Sequence, residues 1–135
     1  MAKGTLGRIH RVRTLQLTLA RAEEARAHAQ VATERALSER IAQLAGAVEP
    51  ASGTAVTLLA QARYRERLHA SAEAAAGRVA RAEAGADRAA EGARAAERDR
   101  KAVEKLLERD RADALRRALR ALEDQPLRGK RHGPC

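Results

Sequence analysis

An alternating three-four spacing runs unbroken from Leu58 to Leu107: Leu58, Gln61, Arg65, Leu68, Ala72, Ala75, Val79, Ala82, Ala86, Ala89, Ala93, Ala96, Arg100, Val103 and Leu107. Such positions fall along one side of an α-helix and make the seam of a coiled coil. The central run is nearly all alanine, which lets two backbones come close but buries little. A methyl-sized group yields about 0.8 kcal/mol against roughly 1.5–3 for a buried leucine. Beyond it, Ala96–Asp124 holds neither proline nor glycine and is built from strong helix formers. Acids precede bases by one turn at Glu97–Lys101 and Asp113–Arg117, the favourable orientation. Val103, Leu106 and Leu107 form one apolar cluster of this stretch, and Leu115, Leu119 and Leu122 a second.

The spacing therefore predicts one helix over about 54–124, stopped by Gln125-Pro126, with a flexible basic tail over 125–135. Gly77, Gly85 and Gly92 weaken it by roughly 1 kcal/mol each relative to alanine. They mark a close contact, a flexible zone or compositional drift.

Upstream, Thr5 is a candidate N-cap for a first helix over about 5–48. Its seam reads Val12, Leu15, Leu19 and Ala22 at the start, and Leu37, Ile41, Leu44 and Val48 at the end. The two halves are one residue out of phase, a slip the alanine-rich middle absorbs by local unwinding. Between the helices, a turn over 49–53 contains Pro50, which cannot continue a helix, and Gly53, which permits a reversal; Ser52 or Thr54 caps the second helix. A short connection between long helices favours an antiparallel arrangement. The expected fold is all-α: a single coiled-coil domain over 1–135, a long antiparallel two-helix hairpin. Helix lengths folded back from one turn leave the first helix running out near Ala95, so that 96–124 overhangs as an unpaired helix.

An ordinary globular core is excluded, because the chain has one tyrosine and no phenylalanine or tryptophan. The net charge of +9 is concentrated at the ends. Residues 1–20 and 125–135 carry bases and no acid, while the remainder is nearly balanced. This reflects either solubility and codon bias or an acidic partner: a protein surface, nucleic acid or anionic lipid.

The chain lacks nucleotide-binding glycine loops, and its carboxylates are scattered along the helices with no cleft to perturb them. His10, His28, His69 and His132 lack metal-ligand spacing; the first three are expected on solvated helix faces. These features predict a protein that is not an enzyme and holds no cofactor or metal. Tyr64 alone cannot make a stacking platform for single strands. Cys135 has no internal partner, which fits a reducing cytoplasm, and neither a membrane span nor a signal peptide is expected.

The run Arg100-Lys101-Ala102-Val103-Glu104-Lys105-Leu106-Leu107-Glu108-Arg109 resembles the R-K-x-x-E-K-L-x-E-R pattern of the FliJ family, coiled-coil proteins of flagellar type III export. The opening Leu6-Gly-Arg-Ile-His-Arg-Val-Arg-Thr-Leu-Gln-Leu and the acidic Leu122-Glu123-Asp124 are similar to the family's two ends. The resemblance implies a non-catalytic stalk that binds and stimulates the hexameric export ATPase and contacts the cytoplasmic domain of the export gate. It further implies export chaperones as partners, and a cytoplasmic location at the inner face of the inner membrane, reached through partners. The implied ATPase contacts are Lys101, Lys105, Leu106, Leu107, Arg109, Leu115, Arg117 and Leu119. Leu58, Leu59 and Tyr64 are the implied gate contacts, although family members often carry more aromatics there. The competing readings are a basic hairpin that binds nucleic acid non-specifically and a generic coiled-coil scaffold.

Overall fold

The computed structural model describes residues 2–48 and 53–126. The expected turn residues 49–52, including Pro50 and Ser52, lie outside them, as does the tail from 127 with His132 and Cys135. Two helices account for the rest: α1 (Ala2–Gly46, 45 residues) and α2 (Ala55–Glu123, 69 residues). They pack against each other as an all-α helical hairpin, without strands among the described residues. Because α1 starts at Ala2, Thr5 lies inside the helix and is not its cap. Thr54 does cap α2: its Oγ1 accepts the Thr57 N–H at 3.4 Å, and its carbonyl accepts that of Leu58 at 3.1 Å. Gly53 before it has φ +151°, a conformation that favours glycine.

The helices contribute to two compact units, a terminal one (1–15 and 97–135) and a middle one (16–96). In the middle unit, α2 follows the expected seam from Leu68 through Ala72, Ala75, Val79, Ala82, Ala86, Ala89 and Ala93 to Ala96, none of them exposed. Before it, Leu58 and Arg65 are exposed, so the seam begins later than its spacing suggests. The glycines do not interrupt α2. A Cβ at Gly92 would meet nothing within 4 Å, so no close approach requires glycine there.

The seam of α1 differs from the expectation. Along α1 in the middle unit, Leu17, Ala20, Glu24, Ala27, Val31, Glu34, Ser38 and Ile41 are turned inward and Ala22 is half-buried beside them; Val48, two residues past the helix, is also half-buried. Apart from Ala22, the residues from Leu17 to Ile41 follow one three-four frame with no phase slip. Leu17 and Val31 are buried at 5% and 7% exposure, whereas Leu19, Leu37 and Leu44 are exposed at 62%, 45% and 47%. Of the expected seam residues, Ile41 lies on this frame, and Ala22 and Val48 are half-buried off it. The frame is held by polar contacts across the helices. Arg35 donates to Glu83 Oε1 from Nη2 at 2.6 Å and from Nε at 3.2 Å. Arg78 Nε donates to Glu34 Oε2 at 3.2 Å, and the Glu34 side chain is only 15% exposed. Alanine against alanine discriminates poorly between registers, so specific pairs of this kind set the alignment.

Candidate functional site

In the terminal unit the helices run antiparallel, with Arg13 Nη1 donating to Asp99 Oδ2 at 3.2 Å. The residues that are not exposed are Leu6, Gly7, His10 and Arg13 on α1, and Glu97, Arg100, Val103, Glu104, Leu107, Asp110 and Ala114 on α2. Of these only Val103 is buried, at 9% exposure. Arg100 lies in the seam and reaches Glu97 and Glu104 at 3.2 Å each, which satisfies its terminal nitrogens; its buried Nε has no hydrogen-bond partner. His10 is half-buried here, with Nε2 buried and without a hydrogen-bond partner, and so is not on a solvated face. The other two histidines do face solvent, His28 3.8 Å from Glu24 and His69 3.2 Å from Glu73.

A groove of about 450 Å³ between Gly7, His10 and Arg11 of α1 and Leu107, Asp110 and Arg111 of α2 shows how far the pairing extends. It overturns the expectation that α1 runs out near Ala95. The expected overhang was too long because α1 begins earlier than Thr5 and the register is not centred on the turn. In the middle unit, Ala45 near the end of α1 and Val48 just past it line a groove with Arg65, Leu68 and Ala72, and residues 55–60 at the start of α2 are exposed. The unpaired end of α2 is correspondingly shorter. Ala114 is its last residue that is not exposed, and 115–126 are exposed throughout.

The expected partner contacts divide between the seam and the surface. Leu107 belongs half-buried to the hairpin's own seam and is not a free contact. Lys101, Lys105 and Arg109 are exposed at four-residue intervals and therefore share one outward face. Lys101 approaches Glu97 at 3.8 Å, the predicted pair. Asp113 pairs with Arg116 at 3.1 Å rather than with Arg117. Leu115, Leu119 and Leu122 are 62%, 51% and 64% exposed and form one apolar stripe. At 100° per residue, Arg117 points away from that stripe, and Leu106, 47% exposed, stands apart from it.

The expected gate contacts are accessible, with Leu58 at 49%, Leu59 at 56% and Tyr64 at 46% exposure. The same angular step spreads them around α2, so they do not form a single patch. The sequence pattern does not disclose the outward face of α1, where Val12 and Leu15 are 52% and 64% exposed. Their spacing suggests the internal seam instead.

Among the described residues no group of three or more His, Cys, Asp or Glu is placed to hold a metal ion, and no helix is long and apolar enough to cross a membrane. What the arrangement offers is surface: an apolar stripe at a helix end, next to cations, with the adjoining seam occupied by α1. No family model, curated protein or solved structure matches the chain.

Proposed function

We propose that this protein is a non-catalytic coiled-coil stalk whose free α2 end binds a protein partner, and that the partner is the ring of the flagellar type III export ATPase. The observation that carries the binding role is the stripe Leu115, Leu119 and Leu122, which lies past the last half-buried residue of α2 and has no covering element among the described residues. An amphipathic helix of this kind seats its apolar face in a groove of its target. Lys105 and Arg109 have no carboxylate partner among the described residues, which suits an acidic rim on that target.

The choice of an export ATPase rests on the FliJ-like run from Arg100 to Arg109. Within it, Arg100, Val103, Glu104 and Leu107 serve the hairpin, while Lys101, Lys105, Leu106 and Arg109 are among the residues that face outward. The outward set and the leucine stripe are the proposed ATPase contacts, and Leu58, Leu59 and Tyr64 remain the proposed gate contacts. Capture of a purified export ATPase on the immobilised chain tests the reading. Retention that Leu115→Gln with Leu119→Gln abolishes is the expected result. Retention only of duplex DNA, falling steeply with salt, would instead support the nucleic-acid reading.

A further inference from the structure

The outward face of α1 is a second surface, separate from the free end of α2. In the terminal unit Val12 and Leu15 project from it, and Ile9 flanks them at 39% exposure. Arg8 stands one turn before Val12 on the same line, and Arg11 borders it; both are exposed. Neither arginine has a carboxylate partner among the described residues, although Arg11 shares its groove with Asp110. This contrasts with the inward Arg13, which is paired to Asp99. Residues 1–20 contain no acid that could neutralise them.

We propose that this face docks an acidic amphipathic helix of a partner protein, with the helix's apolar side on Val12 and Leu15 and its carboxylates on Arg8 and Arg11. Three features favour that occupant. Arg8, Val12 and Leu15 follow each other by four and three residues, the spacing that receives the knobs of another helix. Unpaired cations within and beside the apolar line call for carboxylates in the partner. A second copy docked through the same face would bring no carboxylate to Arg8 and Arg11, since residues 1–20 hold none, and in the parallel orientation would set them against their own counterparts. A bilayer is the weaker fit as well, because Arg8 lies in the line that would have to enter the acyl region.

The test uses the full chain and a synthetic four-heptad peptide with leucine at the seam positions and glutamate flanking them. A lysine-flanked version serves as the comparator. The acidic peptide should bind with micromolar affinity at about 50 mM salt and at least about tenfold more weakly at about 500 mM. Val12→Gln with Leu15→Gln should weaken it about tenfold or more, and so should Arg8→Glu with Arg11→Glu, which leaves the apolar groups in place. Circular dichroism should show unchanged helicity in both. Leu115→Gln with Leu119→Gln should bind the peptide normally, which separates this surface from the α2 end. Equal binding of the lysine-flanked peptide, loss of binding only in the α2 variant, or no binding of the acidic peptide at about 100 µM would each overturn the proposal. So would self-association of the chain that the Val12 and Leu15 changes abolish.

Discussion

Arg13 and Asp99 form an ion pair at 3.2 Å across the two helices. Asp99 thus has α1 beside it, although helix lengths alone leave that part of α2 alone. The pair is half-exposed, so its own contribution is small, about 0.2–1 kcal/mol. Its value lies in reporting register. A double-mutant cycle of Arg13→Ala and Asp99→Ala should give a coupling in that range that shrinks as salt is raised. A coupling of zero at low salt would contradict the contact.

The seam of α1 makes a sharper prediction. Leu17 and Leu19 are two residues apart in the middle unit, yet one is 5% and the other 62% exposed. Leu17→Ala should cost about 2–3 kcal/mol, near the low end for a buried leucine in a small core. Leu19→Ala should fall within about 0.5 kcal/mol of the parent. Thermal or urea unfolding of both variants checks the order, and a reversed order would restore the seam expected from sequence.

Glu34 tests what the inward charges do. It accepts from Arg78 at 3.2 Å and from Gln30 Nε2 at 3.0 Å. Glu34→Ala removes these contacts and should destabilise the chain by about 1 kcal/mol. Glu34→Leu fills the same inward position with apolar volume and should recover that loss or exceed it. The expected cost is in uniqueness: the leucine variant should show more than one helix register when cross-linked through cysteines placed on the two helices.

Gly92 is exposed inside α2 and has open space where a Cβ would stand. Gly92→Ala should stabilise the hairpin by about 0.5–1 kcal/mol, through a less flexible unfolded chain and better helix propensity. A lower melting temperature in this variant would show that the glycine is needed for packing or bending.

These residues also show what is legible in the sequence. The seam of α2 from Leu68 to Leu107 can be read because its inward positions are almost all apolar. The seam of α1 cannot, because Val12, Leu15 and Leu19 repeat more cleanly on the outside than His10, Arg13, Glu24 and Glu34 do on the inside. One signal is present: Leu17, Val31 and Ile41 fit a single frame with no slip. The end of the pairing is hidden for a related reason. Register depends on pairs distant in sequence, such as Arg35 with Glu83, which no local pattern reveals. The leucines of the α2 end form a cluster as their spacing suggests, but Leu107, expected among the free contacts, belongs to the seam.

The proposed stalk is tested most directly by stimulation of the export ATPase. Leu115→Gln with Leu119→Gln suits this better than changes at Leu106 and Leu107, since Leu107 also supports the hairpin, whereas glutamine keeps the helix and both mutated positions are exposed. Each leucine buried in an interface contributes on the order of 1.5–3 kcal/mol. At matched helicity the double variant should therefore need at least about tenfold more protein to stimulate the ATPase equally. Stimulation equal to that of the parent at every concentration would contradict the assignment of the α2 end as the contact.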